Sequence, residues 1–312
     1  QRVRSLRIPK LGKYLELVSF ARALKRLAPG ADIIHAHQGL APAALAVKVG
    51  HQVGVPVVVK IGNSGERFDL NVLRASYAIG RRLARLVAQA DALVALNSRI
   101  GEQLLEAGVP AERIHRIPNG VDAERFRPLT SDRERGEVRQ KLGLPARDLV
   151  IFVGNLTPKK NVATLLDAWP AVRAKHPSAH LLLLGDGPEK IALVERADRL
   201  GLHDRVSFLG ERETPEGYLR MARVFVLPSL VEGMANALLE AMASGLPVVA
   251  SNVPGNIDLV RNGDTGRLVV KACGREILHK TEAGGVCVVD LEAGGSIEDA
   301  AARVRAAVTR DG

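Results

Sequence analysis

The chain has 312 residues, of which 46% are hydrophobic and 25% are charged. This length suits two domains, and the hydrophobic content is enough for two packed cores. The net charge is +10, and no apolar run reaches the roughly 18 residues that a membrane-spanning helix needs.

The first half alternates predicted helices and predicted strands. Helices are predicted at residues 15–28, 40–52, 74–90 and 98–108, and strands at residues 31–37, 55–62, 91–97 and 113–119. Such alternation is typical of a doubly wound α/β domain with a parallel sheet. We therefore predict a first domain of residues 1–126. Because the chain begins at Gln1 in sequence that already resembles a domain interior, we expect its first strand and loop to be missing.

Residues 118–136 combine turn-forming and charged residues and are interpreted as the connector, so the second domain is predicted at residues 127–312. Alternation then resumes. Strands are predicted at residues 148–155, 179–187, 205–210, 224–229 and 246–251, and helices at residues 161–177, 189–201, 215–222 and 235–244. After residue 270 the pattern weakens, and only a short helix at residues 296–310 is expected. Two such domains predict a cleft, where ligands usually bind.

The stretch LPSLVEGMANALLEAMASGLPVVAS, residues 227–251, places two carboxylates around a strand-to-helix junction. The strand–loop–helix–strand order predicts a βαβ unit whose crevice lies at the carboxyl ends of the strands. Glu232 falls in the crevice loop and Glu240 inside the helix. The first N–H groups of that helix would attract an anion such as a phosphate. A nucleotide sugar offers both the phosphate and the hydroxyl groups that carboxylates accept.

Four sequence motifs resemble those of glycosyltransferase family 4, whose members are retaining enzymes with the GT-B fold. The strongest is E-G-M-A-N-A-L-L-E, which resembles the family's E-x7-E motif. The others are RIPNGVDAERFRP before the second domain, FVGNLTPKKN at its first strand, and the series GDGPE, VSFLG and GDTGRLV. The resemblance covers roughly residues 30–270. It implies two Rossmann-like domains and transfer of a sugar from a UDP- or GDP-sugar to a glycan or lipid-linked acceptor.

The resemblance also implies roles for residues of the E-x7-E motif. Glu240 would accept hydrogen bonds from the ribose hydroxyls, and Glu232 would face the hydroxyls of the donor sugar. The backbone N–H groups next to Glu232 would help to hold sugar and phosphate; this group comprises Gly233, Met234, Ala235 and Asn236. The alternative is two acids at the start of a surface helix, where the helix dipole alone favours them.

Lys160 follows a predicted strand in a glycine-containing loop with Gly154 and Asn155. A lysine here would neutralise the diphosphate and stabilise the charge that grows on the leaving group. Many family members have arginine where this chain has Asn155, which can donate a hydrogen bond but carries no charge; Lys159 is the residue that could compensate for the lost charge. The alternative for Lys160 is an ordinary surface lysine.

Two further segments end strands of the first domain. In His35-Ala36-His37, alternation places both histidines on one side of the strand, and the resemblance favours His37 for contact with the sugar or acceptor. Asn63 and Ser64 lie in a flexible polar loop that suits an acceptor hydroxyl, although a plain turn explains them equally well. The alternative for His37 is a structural role, in which its hydrogen bonds are made within the protein.

The sequence predicts no metal site, since it has no D-x-D pair and the His35/His37 pair has no evident third ligand. No cofactor beyond the nucleotide-sugar substrate is expected. Cys273 and Cys287 lack metal or redox spacing and no secretory signal is visible, which favours a cytoplasmic setting. Two alternatives to an active transferase stay open. One is a fragment or degenerate protein that binds nucleotide sugar without transferring it, and the other is an epimerase of UDP-N-acetylglucosamine.

The positive charge is concentrated in the first half. Residues 1–128 contain 20 Lys and Arg against 10 Asp and Glu, whereas the remaining residues contain 24 of each sign. A basic domain suits an anionic partner such as a membrane surface or a lipid-phosphate acceptor, and residues 1–27 mix basic and apolar residues at near-helical spacing. A solvated helix face is the alternative. Nucleic acid is not expected, because only 3% of residues are aromatic and no known module is present.

Overall fold

The structure, a computed structural model, describes residues 12–261 and 263–269. The described residues divide into two compact units. Unit 1 holds the chain up to Asn119 together with the short segment Val231–Met234, and unit 2 holds the rest. Each unit has a parallel sheet covered by helices, which confirms the predicted α/β class. The predicted helix at residues 296–310, and both cysteines, lie outside the described residues.

Unit 1 contains a four-stranded parallel sheet in the order β1-β2-β3-β4. Its strands are β1 (Ile34–His37), β2 (Val57–Ile61), β3 (Ala92–Ala95) and β4 (Ile114–Arg116). Its helices are α1 (Gly12–Leu27), α2 (Ala41–Val53), α3 (Asp69–Ser76), α4 (Gly80–Ala88) and α5 (Ser98–Glu106). Since the strands are parallel, their carboxyl ends share one edge, and the loops after β1, β2 and β3 start there.

The single helix expected at residues 74–90 is wrong in its extent, because the structure has two helices there. α3 ends at Ser76, and Tyr77 is extended with φ −135° and ψ 145°. α4 then begins at Gly80, where a Cβ would lie 2.4 Å from the carbonyl oxygen of Leu73. The glycine thus allows α4 to start in direct contact with the backbone of α3. Both helices present apolar faces, so their combined periodicity resembles one helix.

Unit 2 contains a six-stranded parallel sheet in the order β10-β9-β8-β5-β6-β7. Its strands are β5 (Asp148–Val153), β6 (Ala179–Leu184), β7 (Val206–Gly210), β8 (Val224–Leu227), β9 (Val248–Ser251) and β10 (Gly266–Val269). Its helices are α6 (Asp132–Leu142), α7 (Val162–Lys175), α8 (Lys190–Arg199), α9 (Glu216–Met221), α10 (Asn236–Ala243) and α11 (Pro254–Ile257). Strand order reverses between β5 and β8, so this sheet is doubly wound. Open sheets bind ligands at the carboxyl ends of the two strands that flank such a reversal.

Helix α6 begins inside the segment that the sequence interpreted as connector, at Asp132, and continues beyond it to Leu142. The Ser131 side chain accepts a hydrogen bond from the backbone N–H of Glu134, and Gly143 closes the helix with φ 60°. Acidic residues in the first turn and basic residues in the last turn complement the helix dipole. The helix was missed because its charged face hides the apolar period, although its capping signals are visible in the sequence.

Candidate functional site

The segment Val231–Met234 is held by side chains of unit 1. Its last three carbonyl oxygens accept hydrogen bonds, one each, from the side chains of Ser64, Asn97 and Asn119. Ser64 and Asn97 are buried, with exposed fractions of 2% and 0%. Since these side chains follow β2, β3 and β4, three strand ends together fix the backbone of the segment that carries Glu232.

Gly233 is required at the centre of this segment. A Cβ there would lie 1.8 Å from the carbonyl oxygen of Gly62, which is far inside van der Waals contact. The backbone of the segment therefore packs directly on the loop that follows β2. Glu232 is 9% exposed, so this acidic residue is largely shielded from solvent.

Asp69 organises the loops of unit 1, and the sequence reasoning missed it. Its carboxylate accepts hydrogen bonds from the backbone N–H groups of Gly39, Gly62 and Asn63 at 2.7, 2.8 and 3.1 Å, and from the Asn63 side-chain amide at 2.9 Å. The residue is 1% exposed. It thereby joins the loop after β1 to the loop that holds Asn63 and Ser64. An aspartate at a helix start, just after a glycine-rich loop, is the signal that could have identified it.

His35 and His37 project from the same side of β1, as strand alternation predicted. Their ring centroids are 4.4 Å apart, and both side chains are exposed. Desolvation, together with the nearby His37 and Lys60, lowers the pKa of His35. Lys60 also donates to the Asn119 side chain at 2.7 Å. His37 thus stands at the carboxyl edge of the sheet next to a cation, where it can contact an anionic or hydroxylated ligand.

In unit 2, the loop after β5 is built from backbone contacts. Gly154 donates its N–H to Leu184, and a Cβ on Gly185 would lie 2.0 Å from the Gly154 carbonyl oxygen. Gly185 has φ 140°, a conformation that glycine adopts readily. A Cβ on Gly154 would lie 3.6 Å from Cε of Lys160, so the stem of this lysine crosses the loop close to its backbone. Asn155 is exposed at the same loop.

Two hydrogen bonds tie this loop to the one that follows β8. Leu230 donates its N–H to the Lys159 carbonyl at 2.7 Å, and the Asn161 side chain donates to Pro228 at 3.3 Å. Because the order of the strands reverses between β5 and β8, this pair of loops marks the position expected for a ligand in unit 2. Lys160 lies within this pair of loops.

Glu240 lies on α10, which begins at Asn236 just after Ala235. Its carboxylate receives no hydrogen bond from the part of the chain that the structure describes, whereas its side chain is half-buried. Burial raises the pKa of Glu240, an effect that Arg125 opposes and Glu216 reinforces. A partly desolvated carboxylate without a donor is suited to accept hydrogen bonds from ligand hydroxyls.

Arg125 is a second residue that the sequence reasoning did not single out. Its guanidinium donates to the Glu216 carboxylate at 3.0 and 3.2 Å and to the Glu213 carbonyl at 2.8 Å. It also lies over the ring of Phe126, 5.2 Å from the centroid. Arg125 therefore joins the NGVDAERF segment to the loop between β7 and α9 and to the first residue of α9. The sequence signal that could have identified Arg125 is its position within the RIPNGVDAERFRP motif.

The predicted site residues fall in both units. Unit 1 contains the histidine, the two residues of the β2 loop and the first part of the E-x7-E motif, namely His37, Asn63, Ser64, Glu232, Gly233 and Met234. Unit 2 contains the phosphate-loop residues and the rest of the motif, namely Gly154, Asn155, Lys160, Ala235, Asn236 and Glu240. Within the described residues, no group of three or more His, Cys, Asp or Glu side chains is arranged to hold a metal ion. Within the same residues, no helix is long and apolar enough to cross a bilayer.

Two family models match the chain. The model described as Glycosyltransferase Family 4 matches residues 1–125, and the model described as Glycosyl transferases group 1 matches residues 147–282. A solved structure of the Anabaena protein HepE, in complex with UDP and glucose, is similar with a TM-score of 0.70 and 26% identity. The match covers 85% of this chain and 71% of that one. These findings confirm the GT-B fold expected from the sequence.

Curated relatives agree with the family models. A GDP-mannose-dependent alpha-(1-6)-phosphatidylinositol monomannoside mannosyltransferase of Mycobacterium tuberculosis is 32% identical over 67% of this chain, which spans only 56% of that protein. The Escherichia coli UDP-Gal:alpha-D-GlcNAc-diphosphoundecaprenol alpha-1,3-galactosyltransferase is 31% identical over 86% of this chain and 71% of its own length. The chain therefore belongs to glycosyltransferase family 4.

Proposed function

We propose that this protein transfers a sugar from a UDP- or GDP-sugar to a glycan or lipid-linked acceptor, without a metal ion and with retention of anomeric configuration. The observation that carries the proposal is the carboxylate of Glu240. It is half-buried, receives no hydrogen bond from the described residues and lies eight positions after the buried Glu232. Vicinal ribose hydroxyls would supply the missing donors in a charge-assisted pair.

The loops at the strand reversal of unit 2 support a diphosphate site. Lys160 brings a cation to the glycine-containing loop after β5, and the sequence has no D-x-D pair to hold a divalent cation on the diphosphate. We assign neutralisation of the departing diphosphate to Lys160, aided by the exposed Asn155 as a hydrogen-bond donor. A fixed positive group aimed at charge that develops in the transition state lowers the barrier.

The loops of unit 1 support the assignment of acceptor and sugar contacts. The Asp69 carboxylate accepts a hydrogen bond from the backbone N–H of Asn63, and the Ser64 hydroxyl donates to the backbone carbonyl of Glu232. We assign Glu232 and His37 to the sugar hydroxyls and the β2 loop to the acceptor. A rigid loop held by four hydrogen bonds is suited to orient an acceptor hydroxyl, because orientation supplies much of the rate in bimolecular transfer.

In the proposed reaction an acceptor hydroxyl oxygen forms a bond to the anomeric carbon on the face from which the diphosphate departs. The bond between that carbon and the diphosphate oxygen breaks, and its electron pair leaves with the nucleoside diphosphate. The proton of the acceptor hydroxyl passes to a phosphate oxygen of the leaving group. The relatives support this class of substrate, since their names state GDP-mannose and UDP-galactose as donors.

The first test is calorimetric titration of the full chain with UDP, GDP and ADP in the presence of EDTA. We expect one nucleotide to bind without metal, and binding to weaken about 10- to 100-fold in Glu240→Ala and in Lys160→Ala, since each loses a charge-assisted contact. Glu195→Ala removes an exposed helical carboxylate of unit 2 and should bind as the parent does. A folded chain that binds none of the three nucleotides would overturn the donor assignment.

The stereochemical part of the proposal has its own test. Proton NMR of the product formed from an α-linked nucleotide sugar should show an α-linked glycoside at the newly formed bond. A β-linked product would contradict retention, and epimerisation of UDP-N-acetylglucosamine without an acceptor would identify a different reaction.

We also propose peripheral contact with an anionic membrane on the cytoplasmic face. Helix α1 supports it, because Leu15, Val18 and Leu27 are 38%, 46% and 61% exposed beside basic residues in the last turn. Apolar exposure next to positive charge is the pattern of an interfacial helix. Sedimentation with vesicles containing phosphatidylglycerol should recover the chain at low salt, and Val18→Asp should reduce recovery. Equal recovery of the two proteins would refute the contact.

A further inference from the structure

Unit 2 contains a cavity of about 490 Å³ at the edge of its sheet opposite the proposed donor loops. Five arginines line it, namely Arg135, Arg139, Arg147, Arg220 and Arg223. They converge from α6, from the turn before β5, from α9 and from the residue before β8, which are distant in sequence. Four of the five are partly buried, so this is not a fully solvated basic face.

The cavity is separate from the candidate donor site. It lies at the amino-terminal ends of the strands, since Arg223 directly precedes β8 and Pro247 directly precedes β9. The loop with Lys160 follows the carboxyl end of β5. A strand of six residues such as β5 is about 20 Å long at roughly 3.3 Å per residue, so one small ligand cannot occupy both places.

The charges around the cavity do not balance. Asp132 lines it, and Asp148 pairs with Arg223. Glu134 pairs with Arg220, and it also pairs with Arg127, which does not line the cavity. Five guanidinium groups against these three carboxylates leave a net charge of +2. The C-terminal ends of α9 and α10 also line the cavity, and each carries about half a negative charge, which reduces the excess to about +1.

The carbonyl partners of Arg139 and Arg147 use only part of the donor capacity of these two side chains. Arg139 donates to the Pro145 carbonyl at 2.6 Å, and Arg147 donates to the Asp204 carbonyl at 2.8 Å, in each case through one terminal nitrogen. A guanidinium has five N–H donors in a planar fork that fits phosphate oxygens in pairs. The volume is within the range that small-molecule sites occupy, about 300–1,000 Å³.

We infer that this arginine cavity is a binding site for a small phosphate-bearing anion, distinct from the nucleotide-sugar site. The anion relieves the repulsion among the guanidinium groups and fills donors that carbonyl groups do not use. Its phosphate belongs either to a soluble compound or to a lipid headgroup, which present the same oxygens to the cavity. The inference does not depend on the proposed transferase activity.

The test uses the full chain and inorganic pyrophosphate as the probe. Calorimetry should detect pyrophosphate binding to the parent chain and to Lys160→Ala, in which the donor site is weakened. In the Lys160→Ala background, the further changes Arg147→Gln and Arg223→Gln should weaken binding at least about tenfold, because two charge-assisted contacts are lost. The matched control is Arg133→Gln, an exposed arginine of α6 outside the cavity, which should leave binding unchanged.

A second measurement needs no substitution in the cavity. Pyrophosphate should protect Arg147 and Arg223 of the parent chain from phenylglyoxal, as read by mass spectrometry, and should not protect Arg133. Absence of protection at millimolar pyrophosphate, or equal affinity in the arginine variants and their control, would overturn the site. This readout is residue-specific, so failure of UDP binding leaves it interpretable.

A vesicle experiment separates the two sources of the phosphate. If the ligand is a headgroup, phosphatidylcholine vesicles with phosphatidic acid should sediment the parent chain more than the double arginine variant. If the ligand is soluble, both proteins should sediment equally while pyrophosphate still distinguishes them. Both results support the site; failure of the two probes to distinguish the proteins refutes it.

Discussion

The ligand-edge loops of the two units are held in different ways. In unit 1, side chains do most of the holding, since Asp69 gathers the loops after β1 and β2, and Ser64, Asn97 and Asn119 bind the carbonyls of Val231–Met234. Gly233 adds a backbone contact with the Gly62 carbonyl oxygen. In unit 2, the loops after β5 and β6 are joined by backbone hydrogen bonds and by glycines packed against carbonyl oxygens. Substituting one side-chain anchor removes only some of the hydrogen bonds that hold a loop, whereas adding a Cβ where there is no room for it forces the backbone itself to move.

The largest effect is expected for Gly185→Ala. The new Cβ would lie 2.0 Å from the Gly154 carbonyl oxygen, and the residue has φ 140°. Relieving this overlap should destabilise the fold by about 3 kcal/mol or more, measured as the shift in the urea midpoint. Gly201→Ala is the control, because φ is 64° but no atom lies within 4 Å, so only about 1 kcal/mol of conformational cost is expected. Equal losses of stability in the two variants would show that the overlap with the Gly154 carbonyl oxygen does not determine the cost at position 185.

Asp69→Asn tests the side-chain anchor of unit 1. Four N–H groups point at the carboxylate, and the new amide would present its own N–H groups to some of them. We expect a loss of about 2–3 kcal/mol, less than for Gly185→Ala, together with a raised KM for acceptor and unchanged UDP affinity. Glu102→Gln, which breaks an exposed ion pair in the same unit, should cost about 0.5 kcal/mol or less. Unchanged acceptor KM in a folded Asp69→Asn protein would contradict the positioning role.

Asn97 gives a smaller and more selective effect. Its side-chain oxygen caps α5 at the N–H of Ile100, and its amide donates to the Gly233 carbonyl. Asn97→Ser keeps a capping oxygen but loses the amide N–H that donates to Gly233, so we expect a loss of about 1–2 kcal/mol and a lower kcat. Asn97→Asp keeps the cap but places an anion against the carbonyl and should be worse. If serine and aspartate variants had parental kcat, the bond to Gly233 would not position Glu232.

The smallest effect concerns Glu240, which, in contrast to Asp69, accepts no hydrogen bond from the described residues. Burial raises its pKa, so protonation on acidification begins at a higher pH than for an exposed glutamate. UDP affinity should fall as pH is lowered through this raised pKa, by less than about tenfold, because the ribose then faces a carboxylic acid. Folding stability should move the other way, since the folded state binds the proton more tightly than the unfolded chain does.

Glu240→Gln is the control for this pH dependence. The phosphates of UDP titrate with both proteins, so the difference between the two binding profiles isolates the carboxylate. Profiles that run parallel from pH 4 to pH 8 would exclude Glu240 from nucleotide binding.

Much of the architecture could be predicted from the sequence, for a physical reason. Buried parallel strands need nearly continuous apolar runs, and β6 (Ala179–Leu184) is apolar except for His180, with every residue buried. The E-x7-E segment was also visible, because its helix and loop residues are local in sequence. What failed was the helix at residues 74–90, whose break depends on Gly80 meeting the backbone of α3, a contact that periodicity does not record.

The residues of the candidate site that the sequence did not reveal are those that hold other parts of the protein in position. Asp69 contacts no ligand in the proposed reaction, and its partners are backbone groups that any sequence supplies. Arg125 bonds to Glu216 and to a carbonyl 88 positions away, so only the folded chain shows the connection. The roles proposed for Glu232, Glu240, Lys160 and His37 stay predictions until the titrations are made.

The anchoring of Val231–Met234 has a consequence for how this sequence can change. Its bonds from Ser64, Asn97 and Asn119 end on main-chain carbonyl oxygens, which are present whatever side chains the segment carries. Gly233 is fixed by space, because a Cβ there would overlap the Gly62 carbonyl oxygen. Met234 is fixed by its side chain, which is 8% exposed and whose sulfur accepts a hydrogen bond from the backbone N–H of Asn119. A substitution at position 232 leaves all of these contacts in place, so a library randomised at position 232 should retain folded proteins far more often than one randomised at position 233.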